Sequence, residues 1–171
     1  LTNLGTAWHH DTYLADITSL RLLGCFAMTE LGHGSDVASL ETTISYDRLR
    51  DEFVVDSPRP EATKAYIGNA AVDGRMAAVF GQLIVAGVNH GVHVVLVELR
   101  DEAGQVLPGV RIADQGHKGG LAGVDNGTIS FDQVRVPRRM LLDRYGGVGA
   151  DGRYTSPIEN SNRRFFTMLG T

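Results

Sequence analysis

Residues 24–136 hold the pattern that most constrains this chain. They are a succession of short runs rich in Val, Ile, Thr and aromatic residues, cut every few positions by Gly, Pro, Asn or Asp. Such runs are too short for helices and have the composition of strands bounded by turns. The strongest strand candidates cover 25–29, 41–46, 52–56, 77–85, 92–99, 110–113 and 128–131. Alternation of apolar and polar residues is clearest in VHVVLVEL and in GTISFDQVRV. The segments DRLRDE and RDEAGQ read as hairpin turns. Seven short strands with little helix between them predict a mainly β unit, an antiparallel sandwich or barrel and not a βαβ fold.

The flanks differ. In HDTYLADITSLRLL (10–23) Leu14, Ile17, Leu20 and Leu23 stand at helical spacing, which predicts a short amphipathic helix. PIENSNRRFFTML (157–169) predicts a second helix opening at Pro157, with Ile158, Phe165, Phe166 and Leu169 as apolar positions. The apolar pattern is still running where the chain stops, so Phe165 and Phe166 are expected to need something to pack on, and a further helical region is expected to follow.

Composition closes off several classes. Hydrophobic residues make up 43% and charged residues 21%, ordinary globular usage. Sixteen basic against twenty acidic residues give a net charge of −4, with no surplus to neutralise a phosphate backbone, so no nucleic-acid partner is expected. No apolar run approaches the about 20 residues of a membrane helix, so no transmembrane segment is expected. The start, LTNLGTAWHH, has neither a basic n-region nor an apolar h-region, and a secreted protein is not expected. A single cysteine, Cys25, excludes an intrachain disulfide and a zinc–thiolate cluster.

The segment most suggestive of chemistry is Thr29-Glu30-Leu31-Gly32-His33-Gly34-Ser35-Asp36. Two glycines, two hydroxyls and two carboxylates follow a strand, and small residues let a ligand approach the backbone. Taken alone it is equally readable as a polar turn with Asp36 as a cap. Three other motifs are weaker. Gly147 to Gly152 matches GxGxxG, but no strand of a βαβ unit precedes it. His33, Ser35 and Asp36 supply triad residue types but lie nearly adjacent and form no nucleophile elbow. His90 and His93 lack a third ligand, and no metal site is expected. Among the carboxylates Glu30, Glu41 and Glu98, none stands out as a general base.

Read in order, CFAMTELGHGSDVASLETT, KAYIGNAA, PGVRIADQGHKGGLAGVDNGTISFDQVRVPRRMLL and DGRYTSP resemble the acyl-CoA oxidase branch of the acyl-CoA dehydrogenase superfamily, closest to the long-chain acyl-CoA oxidases. The resemblance runs from about Gly5 to Phe166. It implies a middle-domain β-barrel of two packed sheets binding FAD and acyl-CoA over 24–145. Residues 1–23 are then the end of an N-terminal helical region, and 146–171 are a loop and the start of a C-terminal helical domain.

It also implies α,β-dehydrogenation of a fatty acyl-CoA to a trans-2-enoyl-CoA, with electrons passed to O2 to give H2O2, and a homodimer in the full-length protein. The compartment is peroxisomal in a eukaryote and cytoplasmic in a bacterium. By residue matching, Thr29 faces the flavin, and Ser35 lies near cofactor and acyl-CoA. Phe26, Met28, Gly34, Tyr66, Ile67 and Gly68 complete the cofactor-binding set. Tyr66 stands where a tryptophan is common, and Gly68 where dehydrogenases more often carry threonine, which favours the oxidase. The family's catalytic glutamate belongs to the C-terminal helical domain, so no catalytic residue is expected here. The alternatives are a dehydrogenase served by an electron-transfer partner and a stand-alone non-catalytic barrel.

Overall fold

The computed structural model describes residues 1–170; the last residue of the 146–171 segment lies outside them. The chain is mainly β. Among the described residues eleven strands are formed: β1 (Gly24–Ala27), β2 (Thr43–Asp47), β3 (Glu52–Asp56), β4 (Lys64–Gly68), β5 (Met76–Val85), β6 (Val88–Glu98), β7 (Val110–Asp114), β8 (Asn126–Phe131), β9 (Val134–Pro137), β10 (Gly147–Val148) and β11 (Tyr154–Thr155). All seven expected strands are present. β4, β9, β10 and β11 are additional, β9 being the second half of the alternation in GTISFDQVRV.

The largest sheet has the order β1-β5-β2-β3-β9, with β6 on the other edge of β5. A second sheet has the order β4-β8-β7. β5 and β6 form a long antiparallel hairpin, and two-residue ladders make β10 and β11 a small one. The DRLRDE turn joins β2 to β3 as expected, and after RDEAGQ the chain pairs back through an Arg100–Val106 bridge. One expectation is corrected: the sheet is not purely antiparallel. β1 and β2 both pair with β5 in parallel, sharing its edge end to end. The two sheets curl around a common core as a half-barrel; among the described residues the one β-bridge that β4 makes on the side of β1 is the isolated pair Glu30–Lys64.

The core lies between the sheets. Phe53, Phe80, Leu83, Ile129 and Phe131 are sealed within it, the last two from alternate positions of β8. β5 and β6 carry near-continuous apolar runs because both of their faces are covered.

The flanking helices are shorter than expected and shifted. At the N-terminus α1 (Ala7–His9), a π-helical turn at His10–Leu14 and α2 (Ala15–Thr18) follow one another. They stop before Leu20, which takes a left-handed backbone (φ +59°), so Leu20 and Leu23 lie beyond the helix. At the C-terminus α3 (Ser161–Leu169) begins four residues after Pro157. The Ser156 hydroxyl holds Ile158 in a turn, and the Asn160 side chain then caps the helix by accepting from Arg163 N. Of its two aromatics, Phe165 is buried against the sheet and only Phe166 is exposed. Among the described residues no helix is long and apolar enough to cross a membrane.

Candidate functional site

The TELGHGS segment leaves the end of β1 and runs antiparallel to the entry of β4. Ala65 N donates to Thr29 O at 3.0 Å, and Leu31 N donates to Thr63 O at 2.9 Å. Between these bonds Glu30 faces Lys64 as an isolated bridge. Both side chains are sealed, Glu30 at 1% and Lys64 at 0% exposure. Lys64 Nζ spends its three protons on Glu30 Oε1 (2.9 Å), Met28 O (3.0 Å) and Phe80 O (2.6 Å). Glu30 also accepts from Thr42 N, Thr42 Oγ1 and Glu41 N. Every polar atom of the pair is thus partnered, the condition under which a charge is tolerated in a core. Burial pulls the Lys64 ammonium down to about 8.

Beyond Glu30 the loop is tight and then open. Gly32 N donates to Glu61 O, and a Cβ at Gly32 would sit 3.0 Å from Glu61 Cβ, a tight approach that favours a small residue there. His33 Nε2 lies 3.0 Å from Glu41 Oε1, and Arg59 grips the same carboxylate with two nitrogens. The Arg59 guanidinium, helped by His33, holds the Glu41 carboxyl down to about 2. Asp36 precedes the 3-10 turn Val37–Ser39 without capping it through its side chain. Gly34, Ser35 and Asp36 are exposed, and nothing lies within 4 Å of a Cβ built on Gly34.

β4 presents the second half of the site. Its ladder to β8 slips between Lys64 and Ile67. Tyr66, at the slip, has a left-handed backbone (φ +57°), strained for an aromatic residue. Side chains replace the missing ladder bonds: Gln115 Oε1 accepts from Tyr66 N, and Asn126 Nδ2 donates to Tyr66 O. The phenol is left 64% exposed. Ile67 points into the core, so only its backbone can face a ligand. Gly68 has open space where a side chain would be. The following loop is clamped from two sides. The Asp125 carboxylate accepts from Ala71, Val72 and Asp73 N, and the buried Arg100 guanidinium donates to Ala70, Ala71 and Gly74 O. The GVDNG motif therefore supplies a loop anchor (Asp125), a tyrosine holder (Asn126) and a close-approach glycine. A Cβ on Gly127 would meet Ala71 N at 2.8 Å and Ala113 O at 2.9 Å.

The bridge brings the two expected segments together on one side of the half-barrel. Phe26, 60% exposed, leans on Phe80 at 4.9 Å between ring centroids; Met28 and Thr29 are half-buried. The Thr29 and Ser35 hydroxyls make no hydrogen bond among the described residues. Beside Phe26 and Phe80 lies a depression of about 230 Å³, edged by Leu1, Leu4, Met168 and Leu169. The site is a shallow face and not an enclosed cavity.

The weaker motifs resolve into structure. Residues 147–152 form β10 and the turn that leads toward β11, not a phosphate loop opening a helix. His33 bonds Glu41 and not Ser35, so no serine relay exists. His93 bonds Tyr154 and His90 stacks on the same ring. No group of three or more ligating side chains occurs among the described residues. Glu30 is sealed, Glu41 is pinned by Arg59, and Glu98 is exposed at the end of β6, so none is poised as a base. Sequence reasoning missed Lys64, Gln115, Asp125 and Asn126 as supports. The available signal for the first was one of only two lysines, set in the otherwise apolar AYIG run.

Comparison with known proteins agrees with this geometry. The family model "Acyl-CoA dehydrogenase, middle domain" matches residues 25–134. Acyl-coenzyme A oxidase 2, peroxisomal, of Arabidopsis thaliana is 52% identical over 175 residues, covering 98% of this chain and 25% of that protein. Among solved structures, acyl-CoA oxidase-2 of Caenorhabditis elegans, bound with FAD, ascaroside-CoA and ATP, superposes with a TM-score of 0.92 at 35% identity. It covers 99% of this chain and 26% of that one. Acyl-CoA oxidase 1 of Arabidopsis thaliana gives a TM-score of 0.90 at 35% identity, covering 99% of this chain and 26% of its own. The chain spans about a quarter of the length of these relatives, and over that span it belongs to the acyl-CoA dehydrogenase middle-domain family, with acyl-CoA oxidases as its relatives.

Proposed function

We propose that this chain is the FAD- and acyl-CoA-binding middle part of an acyl-CoA oxidase. The reaction is α,β-dehydrogenation of a fatty acyl-CoA to a trans-2-enoyl-CoA, with O2 as electron acceptor and H2O2 as product. The observation that carries this reading is the face assembled by the Glu30–Lys64 bridge. It holds a hydroxyl with no protein partner (Thr29), two exposed aromatic rings (Phe26, Tyr66) and two glycines with open space above them (Gly34, Gly68). That donor set fits a flat ring system with polar edges. When bound, FAD supplies a two-electron acceptor for hydride from the β-carbon.

The residues of this chain bind and orient. The Thr29 hydroxyl would donate to the bound ring, which gains negative charge on reduction. Phe26 and Tyr66, both exposed, would cover the ring and exclude water. Gly68 leaves its backbone bare, which suits approach of O2. Ser35 faces the acyl-CoA from the end of the loop. No residue here removes the α-proton; that role falls to a glutamate of a following helical domain, with 1–23, 24–145 and 146–171 as the end of the first helical region, the flavin-binding unit and the start of the second. The full-length protein is a homodimer, peroxisomal in a eukaryote, as the Arabidopsis relative is named, and cytoplasmic in a bacterium.

The test is made on the purified full-length protein supplied with fatty acyl-CoA in air. O2 uptake matched mole for mole by H2O2 and enoyl-CoA supports the oxidase. Flavin bleaching without O2 uptake converts the reading to a dehydrogenase served by an electron-transfer partner. A full-length protein that retains no flavin leaves only a non-catalytic binding unit.

A further inference from the structure

We infer that the buried Glu30–Lys64 pair is a positioning device, which fixes the Thr29 segment against the Tyr66–Gly68 segment and thereby sets how tightly flavin is held. The inference rests on the functional reading above and adds to it two residues that touch no ligand.

Four observations carry it. First, these segments adjoin different sheets, and among the described residues no strand ladder joins those sheets at this point; the isolated bridge and its two flanking backbone bonds are the strand-like pairing between the segments. Second, the ammonium reaches across that seam. One proton goes to the carboxylate, one to Met28 O just before Thr29, and one to Phe80 O on β5, beneath Phe26. Third, the carboxylate extends the tie to Glu41 N and Thr42 N, where the loop re-enters the sheet as β2. Both ends of the segment from Met28 to Thr42 are therefore tied to one ion pair. Fourth, the pair is an expensive way to fill this volume. Two apolar side chains would pack the space without desolvating two charges, and buried ion pairs are often replaceable by such residues at no loss of stability. What apolar side chains cannot do is fix direction: three N–H···O bonds from one nitrogen define where Met28 and Phe80 stand, and contacts between methyl groups do not.

A purely structural pair and a positioning pair predict different behaviour. If the pair only fills the core, its variants lose stability, and flavin binding declines only as far as folding does. If it positions the site, a variant can fold well and still bind flavin weakly.

The experiment uses the full-length protein, stripped of flavin and titrated with FAD. Three variants are compared: Glu30→Gln, the uncharged double variant Glu30→Leu/Lys64→Met, and Val55→Ala. The last opens the sealed core on β3, away from both segments, as a control for lost stability. The double variant leaves no charge stranded and so keeps the test open should a single change unfold the protein. The expected result is a Kd for FAD raised at least tenfold in the double variant, with Val55→Ala within about twofold of the parent even where its melting temperature is lower. Amide exchange at Leu31 and Ala65, whose N–H groups cross the seam, accelerates in the double variant and not in Val55→Ala. Parent-like FAD affinity in both pair variants overturns the inference and leaves the oxidase reading standing. A parent protein that binds no FAD overturns that reading and takes the inference with it.

Discussion

Acid destabilises this fold through His93, and replacing that residue removes the effect. The imidazole is buried on β6 at 1% exposure, with Nδ1 3.0 Å from Gly91 O and Nε2 2.9 Å from the Tyr154 hydroxyl. A carbonyl can only accept, so Nδ1 carries the proton and Nε2 accepts from Tyr154, which is the neutral ring. Burial pulls its pKa down to about 4, and the positive charge of Arg164, whose guanidinium carbon lies 5.5 Å from the centre of the Tyr154 ring, acts in the same direction. In the unfolded chain the same group titrates near ~6.5. Between these values the unfolded state binds a proton that the native state refuses, so stability rises with pH across this window and is lost on acidification. Taking the two values, about 2 kcal/mol disappears between about pH 7.5 and about pH 5, approaching ~3 kcal/mol at lower pH. Urea unfolding at both pH values measures it. In His93→Gln the loss over the same interval shrinks by about 2 kcal/mol, while the carboxylate contributions, Glu41 included, remain common to both proteins. An equal acid-induced loss in parent and variant refutes the assignment of the slope to His93.

Three further outcomes follow from the same structure. Gly127→Ala drives a methyl against backbone atoms on both sides; it costs about 1–3 kcal/mol, read as a fall in melting temperature, and an unchanged melting curve contradicts the close approach. Arg100→Met strands three carbonyls of the 70–74 loop and costs about 2 kcal/mol or more, with amide exchange in residues 71–73 rising ahead of the rest of the chain. In the full-length enzyme Thr29→Ala lowers the rate of flavin reduction by acyl-CoA while leaving acyl-CoA affinity nearly unchanged; equal reduction rates in variant and parent remove Thr29 from the mechanism.

The strands were legible where the pattern is local. β3 and β8 alternate, so period and punctuation located them; β6 was located too, although the alternation read in VHVVLVEL is in the structure a continuous buried run. β4 was not, because a buried lysine and a left-handed tyrosine break the strand signature within five residues. The parallel pairing of β1 and β2 with β5 was also invisible. It joins segments tens of residues apart, and nothing within four or five residues encodes the direction of a distant partner. The helices were misplaced at their ends for local reasons that spacing does not report, a left-handed Leu20 and a Ser156 turn ahead of the Asn160 cap.

The site divides the same way. Its exposed half was singled out through a resemblance, since TELGHGS taken alone reads equally as a polar turn and YIG carries no signal of its own. Its supporting half was not. Glu30 reads as an exposed loop charge until Lys64, 34 positions on, is seen against it. Gln115 and Asn126 acquire meaning only beside the backbone of Tyr66. The chemistry shown to a ligand sits in short motifs, and the means of holding it rigid is spread over the whole fold.

The central claim, that this face belongs to a flavin oxidase, is tested most directly by one anaerobic experiment on the full-length protein. The enzyme is mixed with one equivalent of fatty acyl-CoA without O2, and the flavin spectrum is followed; O2 is then admitted and the peroxide counted. The account predicts bleaching of the flavin on the first addition, then rapid return of the oxidised spectrum with one H2O2 for each flavin. Flavin that stays reduced in O2, or that never bleaches with acyl-CoA, contradicts it.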